Sequence, residues 1–245
     1  MFYVKKGHFY AVGVGPGSSD LITARGIEVL KNSDLILCPA SARSAQSMAL
    51  KIISPWLTGQ KVKEIVYPMQ RDAKATWSFW ENIALEVAEE CAQNKVVSQV
   101  TLGDPLFYST SCYLLACLRD KMQPAHLHVV PGITAFQTVS AHFLLPMVMQ
   151  EESLLLLPGT DLKRIEAALD HCETLVLYKV GKNLQLVLRL LKQRGLLAKS
   201  YLAAYIEQKN EHLVFAPRED LTLDGYLVTL IVKVKSRNWQ TCAMD

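Results

Sequence analysis

Four short loops carry the glycines, prolines and polar side chains that could bind a small molecule. Each follows an apolar segment that we expect to be a strand, and they read GVGPGSSD (13–20), GDP (103–105), PGITAF (131–136) and KVGKN (179–183). Ligands of open α/β sheets bind beyond the carboxyl ends of the strands. Four such loops together would form a binding site, whereas any one alone is equally consistent with an ordinary turn.

The first loop is poorly suited to binding phosphate. Its glycines follow a G-x-G-P-G pattern, in which Pro16 removes one of the amide donors that a phosphate group requires. Asp20 is expected near the start of the following helix, where it would repel an anion and cap the helix together with Ser18 or Ser19. The loop therefore favours close backbone approach to a ligand other than NAD or ATP.

Asp104 stands at the end of an apolar strand, and Pro105 fixes the turn that follows it. One interpretation is that its carboxylate caps a helix that begins near Leu106. The other is that it faces a polar, cationic ligand without phosphates. S-adenosylmethionine, with its ribose hydroxyls, amino-acid end and sulfonium, fits that description. The residues alone leave both interpretations open.

Alternating strands and helices are expected to position these loops, which indicates an α/β fold with right-handed crossovers. The break at MQPAHLHVVPG suggests two α/β lobes, residues 1–121 and 122–245. The first lobe is expected to contain strands at 8–14, 34–38, 62–66 and 96–102 and helices at 21–32, 44–53 and 74–94. The second is expected to contain strands at 126–130, 153–157 and 173–180 and helices from about 134, at 161–170 and at 183–194. Three extended segments between 201 and 234 are expected to pair antiparallel.

Composition excludes several functional classes. The 245 residues are half hydrophobic and carry a net charge of only +3, without basic tracts, so nucleic acid is not an expected partner. Apolar stretches are too short to span a membrane, and no signal peptide is expected. Six cysteines without a CxxC pair are typical of a reduced, cytoplasmic protein. No metal is expected, because His126 and His128 lack a third ligand at a suitable spacing, and Glu151 and Glu152 are expected on the solvated surface.

Taken in order, the loops resemble the tetrapyrrole (cobalamin and sirohaem) methylases. The resemblance runs from Phe9 to Val234 and rests on VGVGPGSSDLIT, LGDPLFYSTSCYL, VVPGITAF and LYKVGKNL. Within the family, the sequence is most similar to the precorrin-2 and cobalt-factor II C(20)-methyltransferases. CPASARSAQSMALKI, GDPLFYST and KVGKNL followed by LLKQRGLL carry this narrower resemblance. One departure is AAYIEQKNEH, at a place where the family often has an ERAT-like stretch.

The resemblance implies a homodimer of two-lobed α/β chains that bind S-adenosylmethionine in the cleft between the lobes. Loop 103–107 is expected at the methionine part, and residues 134, 135 and 179 at the adenosine part. Segment 108–110 can face either cofactor or tetrapyrrole. By matched motif position, the expected cofactor-binding residues are Pro16, Gly103, Asp104, Phe107, Ser109, Thr110, Thr134, Ala135 and Lys179.

The implied reaction is methylation of carbon 20 of precorrin-2 or cobalt-factor II in cobalamin biosynthesis. The alternatives are methylation of another tetrapyrrole position and a non-catalytic tetrapyrrole-binding protein. No catalytic base is assigned, and the choice between metal-free and cobalt-bound ring stays open. The cations that loop placement offers to the ring carboxylates are Arg43, Arg71, Lys74 and Lys182.

Overall fold

A computed structural model describes residues 2–40, 47–67, 73–223, 225 and 227–235. The chain divides into two compact units, Met1–Thr134 and Ala135–Asp245. Each unit is built around one β-sheet with helices packed on both faces. The predicted α/β class with two lobes is therefore confirmed.

The sheet of the first unit is parallel throughout, and its strand order is β3-β2-β4-β1-β5. Its strands are β1 (Phe9–Gly13), β2 (Leu35–Ala40), β3 (Lys61–Val66), β4 (Val97–Thr101) and β5 (Leu127–Val130). Every residue of β1 and β4 is buried, as expected of central strands that are covered on both faces. The carboxyl ends of all these strands consequently lie at one edge of the sheet.

The helices of the first unit cover both faces of that sheet. They are α1 (Ala24–Asn32), α2 (Met48–Ile53), α3 (Ala73–Ala92) and α4 (Ser111–Leu118). The first two pack with Tyr10, Val12 and Ile36, and the other two pack on the opposite face with Phe9, Ala11 and Leu37. Adjacent strand residues thus bury their side chains in different layers, which follows from the two-residue period of a strand.

The second unit has a mixed sheet with strand order β6-β7-β10-β8-β9. Its strands are β6 (Leu154–Pro158), β7 (Thr174–Tyr178), β8 (Ser200–Ala204), β9 (His212–Phe215) and β10 (Val228–Lys233), and its helices are α5 (Ala135–His142), α6 (Leu162–Leu169) and α7 (Leu184–Gln193). The pair β6–β7 is parallel, whereas β10 pairs antiparallel with β7 and β8, and β9 with β8. The antiparallel pairing predicted for residues 201–234 is confirmed.

The unit boundary differs from the predicted one at 121/122. Strand β5 follows the proline-rich break but pairs with β1, so it belongs to the first sheet and not to the second set of elements. Local sequence marks the break correctly, since Pro124 lies in a 3-10 turn. The choice of a pairing partner more than 110 residues earlier along the chain is not visible in that local signal.

Two polar clusters lie within the apolar layers. His8 packs its ring on His126 and His128, and its Nδ1 is 2.7 Å from Nε2 of His128. In the second unit, Lys233 pairs with Glu152 at 3.3 Å, and their side chains are only 11% and 6% exposed. The prediction that Glu152 is solvated is therefore wrong, because Lys233 on β10 holds it inside.

No helix of the described ranges is long and apolar enough to cross a membrane.

Candidate functional site

Main-chain hydrogen bonds join the loops after β1 and β4 at the carboxyl edge of the first sheet. Val14 N donates to the carbonyl of Thr101 at 2.9 Å, and Gly103 N donates to the carbonyl of Gly15 at 2.7 Å. Gly15 and Gly103 form an isolated bridge beyond the ends of the strands. Pro16, a predicted cofactor residue, follows directly and is buried. The two loops therefore form one continuous structure.

Three glycines bring the loops after β1, β4 and β5 into direct backbone contact. A Cβ atom on Gly132 would lie 2.1 Å from the carbonyl oxygen of Gly103 and 2.8 Å from the Cα atom of Gly13. A Cβ atom on Gly13 would lie 2.5 Å from the same oxygen. Gly103 itself has a φ of +66°, a conformation that side chains disfavour. Glycine is thus required here for close approach as well as for backbone conformation.

Asp104 links two of these loops with its carboxylate. Oδ1 accepts a 2.8 Å hydrogen bond from Leu106 N, and Oδ2 accepts a 3.0 Å hydrogen bond from Gly132 N. The residue is only 9% exposed. The expected helix at Leu106 is wrong, because α4 begins at Ser111, so the first bond closes a local Asp turn instead of capping a helix. The bond to Gly132, 28 residues away, was not predicted.

The segment between Pro105 and α4 is held by hydroxyl groups. Ser109 Oγ accepts a hydrogen bond from Ser111 N at 3.0 Å and lies 3.1 Å from Oγ1 of Thr101. Thr110 is hydrogen-bonded to the hydroxyl of Tyr67. Ser109 and Thr110, which were predicted to bind the cofactor, therefore support the loop from within the first unit. Phe107, by contrast, is 49% exposed.

The predicted cap in the first loop differs from the observed one. Thr23 caps α1, since its Oγ1 accepts a 3.1 Å hydrogen bond from Gly26 N. Asp20 is exposed in a short 3-10 turn and accepts a hydrogen bond from Ser18. The helix begins three residues later than expected, because Ile22 and Thr23 are extended. Asp20 is therefore not part of the α1 cap.

Thr134 lies close to the backbone contact among Gly13, Gly103 and Gly132, which we call the glycine contact. Its Cα atom is 4.0 Å from the position that a Cβ atom on Gly103 would occupy, and the residue is buried. The structure thus brings four predicted cofactor residues of the first unit to one edge of its sheet. They are Pro16, Gly103, Asp104 and Thr134.

The second unit holds Ala135 and Lys179 at the edge formed by the ends of β6, β7 and β8. Ala135 is the first residue of α5, and the amide of the next residue, Phe136, donates to the Tyr178 hydroxyl at 3.2 Å. Lys179 directly follows β7 and has a φ of +58°. A non-glycine residue in this conformation is uncommon, and such residues are enriched at ligand-binding sites.

Side chains also close the remaining loops at this second edge. Asn183 Nδ2 donates to the carbonyl of Gly159 at 3.0 Å. Tyr205, in the stretch that departs from the family pattern, has a φ of +52°, and its hydroxyl lies 2.0 Å from where a Cβ atom on Gly225 would be. Gly159, Tyr178 and Tyr205 were not singled out from the sequence. The only local signal was the glycine or aromatic residue at each strand end.

Burial, and next the charge of Glu64, raises the pKa of the Cys38 thiol to about 12, so it stays protonated. Within the described residues, no group of three or more His, Cys, Asp or Glu side chains could hold a metal ion. Of the proposed rim cations, Lys74 and Lys182 are exposed, whereas Arg43 and Arg71 lie outside the described residues.

Comparison with known proteins identifies the family. A sequence profile described as Tetrapyrrole (Corrin/Porphyrin) Methylases matches residues 8–222. The chain belongs to the tetrapyrrole methylase family. It is 30% identical over 231 residues to a Methanocaldococcus jannaschii protein named "Probable cobalt-precorrin-2 C(20)-methyltransferase", a match that covers 91% of this chain and 95% of the relative. It is 33% identical over 193 residues to the cobalt-precorrin-2 C(20)-methyltransferase of Salmonella typhimurium, with 78% and 80% covered.

The fold is similar to that of solved tetrapyrrole methylases. The structure of uroporphyrin-III C-methyltransferase from Thermus thermophilus, complexed with S-adenosylhomocysteine, superposes with a TM-score of 0.64. The match covers 93% of this chain and 98% of that one, at 16% identity. Because the two sequences are only 16% identical, this similarity concerns the fold of the tetrapyrrole methylase chain.

The glycine contact fits the cofactor that tetrapyrrole methylases use. Neighbouring backbone occupies the Cβ positions of Gly13 and Gly132, so these two glycines fix the loops against each other. At Gly103 the nearest atoms to the Cβ position are 4.0 Å away, so a ligand can approach the main chain closely there. Each Asp104 oxygen has one lone pair engaged by an amide and keeps capacity for a second donor. The carboxylate of Asp104 at this edge suits a sulfonium and an amino group better than a pyrophosphate, because it would repel an anion.

Proposed function

We propose that this protein transfers a methyl group from S-adenosylmethionine to carbon 20 of a precorrin-2-type tetrapyrrole in cobalamin biosynthesis. The observation that carries the proposal is the 30–33% identity, over 78–91% of the chain, to relatives named for that reaction. Both relatives are named for the cobalt-bound ring, so this form is the first to test.

The nine residues predicted from the motifs form our proposed cofactor site. In the first unit, Gly103 and Thr134 lie together at the glycine contact, and Asp104 fixes the loops around it. Ser109 and Thr110 would act indirectly, because their hydroxyl groups bond to other residues of the first unit. Ala135 and Lys179 are the proposed cofactor residues of the second unit, at the loop edge of its own sheet.

The mechanism requires alignment more than acid–base catalysis. When bound, S-adenosylmethionine supplies a methyl group that the positive sulfur makes electrophilic. The chain must then hold the donor and the ring carbon in line and exclude water, which is worth up to about 7–11 kcal/mol in favourable cases. Asp104, already fixed by two amides, would orient the donor's amino group without reorganising. We assign no proton transfer to any side chain before methyl transfer.

The test is to incubate the purified chain with donor carrying a 13C-labelled methyl group and either cobalt-bound or metal-free ring. NMR of the product should locate the new methyl at carbon 20. A methyl at another carbon would reassign the protein to another position of the tetrapyrrole pathway. Tight uptake of ring and donor without any transfer would indicate a binding protein, and would contradict the proposal.

We also infer a homodimer located in the cytoplasm. Apolar side chains on α3 and on the edge strand β3 support the dimer, since Val66, Trp77 and Leu85 are between 44% and 52% exposed. Sedimentation analysis should give twice the chain mass, and Leu85→Glu should give the monomer.

Cell fractionation with an antibody to the native protein tests the inferred location in the cytoplasm.

A further inference from the structure

The loop between β4 and α4 exposes an unusual concentration of large apolar side chains. Leu106 and Tyr108 are 56% and 45% exposed, and Tyr113, in the first turn of α4, is 47% exposed. Tyr108 adopts a φ of +50°, which a non-glycine residue keeps only where its surroundings hold it. Exposed apolar clusters of this kind generally mark a binding surface.

A partly buried polar group contacts this loop. Tyr67 follows β3, and its phenolic oxygen is hydrogen-bonded to the side chain of Thr110 and accepts a long, 3.5 Å hydrogen bond from Gln99 Nε2. Burial is the main reason that the pKa of Tyr67 is raised, so the hydroxyl stays protonated and can donate as well as accept. Tyr67 thus connects the centre of the sheet to the last residue before α4.

The ring of Tyr67 continues the connection through aromatic contacts. Its centroid is 4.9 Å from that of Trp80 on α3. Trp80 in turn stacks on Tyr113, with centroids 6.1 Å apart and ring planes 10° from parallel. Tyr67 therefore reaches the exposed surface by two routes, one through the Thr110 hydroxyl and one through the Trp80 ring.

Gln99 provides an independent sign that this arrangement serves something other than stability. The residue is 1% exposed in the middle of β4, and its Oε1 has no hydrogen-bond partner among the described residues. Ser111 Oγ, at the start of α4, is likewise buried without a partner in this part of the chain. Unsatisfied buried oxygens destabilise a fold, so their presence under a loop calls for a specific explanation.

We propose that Tyr67 is a positioning residue for the tetrapyrrole ring. It fixes the loop after β4 and the first turn of α4, where Leu106, Tyr108 and Tyr113 form the surface that the macrocycle stacks against. The ring is a broad, largely flat system of four pyrroles, which aromatic side chains bind through their faces. The inference rests on the proposed function, since it names which part of the chain takes the ring. The donor, by contrast, is assigned to the proposed cofactor site around Gly103 and Asp104.

The test compares Tyr67→Phe, Thr110→Val and the double variant with the wild-type chain. Each single change removes the hydrogen bond between Tyr67 and Thr110, so KM for the ring should rise about three- to tenfold. KM for the donor should rise by less than KM for the ring in both variants. The double variant should be no worse than the worse single variant, because the two residues act through one bond. Tyr201→Phe, which alters a tyrosine in the second unit, is the matched control and should leave both KM values unchanged.

Gln99→Met separates positioning from stability. This variant removes the unsatisfied oxygen and the donor to Tyr67 at nearly constant volume. We expect a melting temperature equal to or above that of the wild type, together with a raised KM for the ring. A purely structural role predicts that any loss of ring affinity follows a loss of stability. A loss of ring affinity that accompanies a loss of stability in Gln99→Met would overturn the proposal. Equal changes in both KM values in Tyr67→Phe would overturn it as well.

Equilibrium binding distinguishes failure of this inference from failure of the proposed function. Ring affinity is followed by ring absorbance without donor, and donor affinity by calorimetry without ring. A weaker ring Kd in Tyr67→Phe with an unchanged donor Kd supports the positioning role, even if NMR places the methyl away from carbon 20. An unchanged ring Kd in Tyr67→Phe refutes it, even if the wild-type product is methylated at carbon 20.

Discussion

The loop edges of the two sheets are built differently. At the first edge, backbone meets backbone at Gly13, Gly103 and Gly132, and one carboxylate links two of the loops. At the second edge, side chains such as Tyr178 and Asn183 make the connecting hydrogen bonds to the main chain. A contact between backbones leaves no room for adjustment, whereas a side-chain contact can be shortened or replaced. The first edge should therefore tolerate far less change than the second.

The largest effect is expected for Gly132→Ala. The new methyl group would lie 2.1 Å from the Gly103 carbonyl oxygen, so the loops after β1, β4 and β5 must separate. Misplacement on this scale can cost about a hundredfold in kcat/KM, and overpacking about 1–3 kcal/mol of stability. Steady-state kinetics measure the loss in kcat/KM, and urea unfolding measures the loss of stability. Gly195→Ala serves as a comparison that strains the backbone without overlap, since Gly195 has a φ of +67° and no atom lies within 4 Å of its Cβ position. It should lower stability but leave kcat/KM nearly unchanged. Near-normal activity in Gly132→Ala would contradict the close contact.

Asp104→Asn should have the next largest effect. An amide keeps the size of the side chain but offers only one acceptor oxygen, so one of the bonds to Leu106 N and Gly132 N is lost. Loss of a hydrogen bond to a charged group costs about 1.5–3 kcal/mol. Donor affinity measured by calorimetry should fall by more than the change in unfolding free energy explains. Equal affinity after correction for stability would limit Asp104 to a structural role.

A smaller effect is expected at the second edge for Tyr178→Phe. The variant removes the hydroxyl that accepts from Phe136 N, and water can replace it at this partly exposed position. We expect a loss of about 0.5–1.5 kcal/mol in unfolding free energy and a change in activity well below that of Gly132→Ala. If Tyr178→Phe were the more damaging of the two variants, the comparison of the edges would be wrong.

The smallest effect is a pH dependence at the opposite end of the first sheet. Burial is the main reason that the pKa of His8 lies below 6.5, and the charges of His126, His128 and Lys5 lower it further. Burial also lowers the pKa of His128, with smaller contributions from Lys5 and His126. The unfolded chain therefore binds more protons than the folded chain below pH 6.5. Stability should be complete above about pH 7 and fall as the pH drops through the lowered pKa values. Urea unfolding between pH 5 and 8 tests this, and His8→Gln should flatten the dependence.

Most of the framework could be predicted from the sequence because it is locally encoded. The sequence of β1 is apolar and that of β4 is rich in β-branched residues, and α3 begins and ends within two residues of its predicted bounds. The loops were placed correctly because glycine and proline mark strand ends. The motif order also predicted the family that the sequence profile identifies.

The contacts that shape the site could not be predicted because they join distant residues. Asp104 reaches Gly132 across 28 positions, and Tyr67 reaches Thr110 from another strand. Sequence analysis placed the helix after Asp104 too early, because an Asp turn and a helix cap use the same residue types. The buried state of Glu152 depends on Lys233, 81 residues later, so a pair of adjacent acids is no guide to exposure.

The meeting of Gly13, Gly103 and Gly132 also constrains the order of folding. These glycines come from the first, fourth and fifth strands of their sheet, so the contact closes only after about 120 residues of chain have been paired. Such long-range closure is slow compared with the formation of local helices. On a ribosome, this edge of the nascent chain would stay unformed until β5 had emerged, however much of the earlier chain had already collapsed.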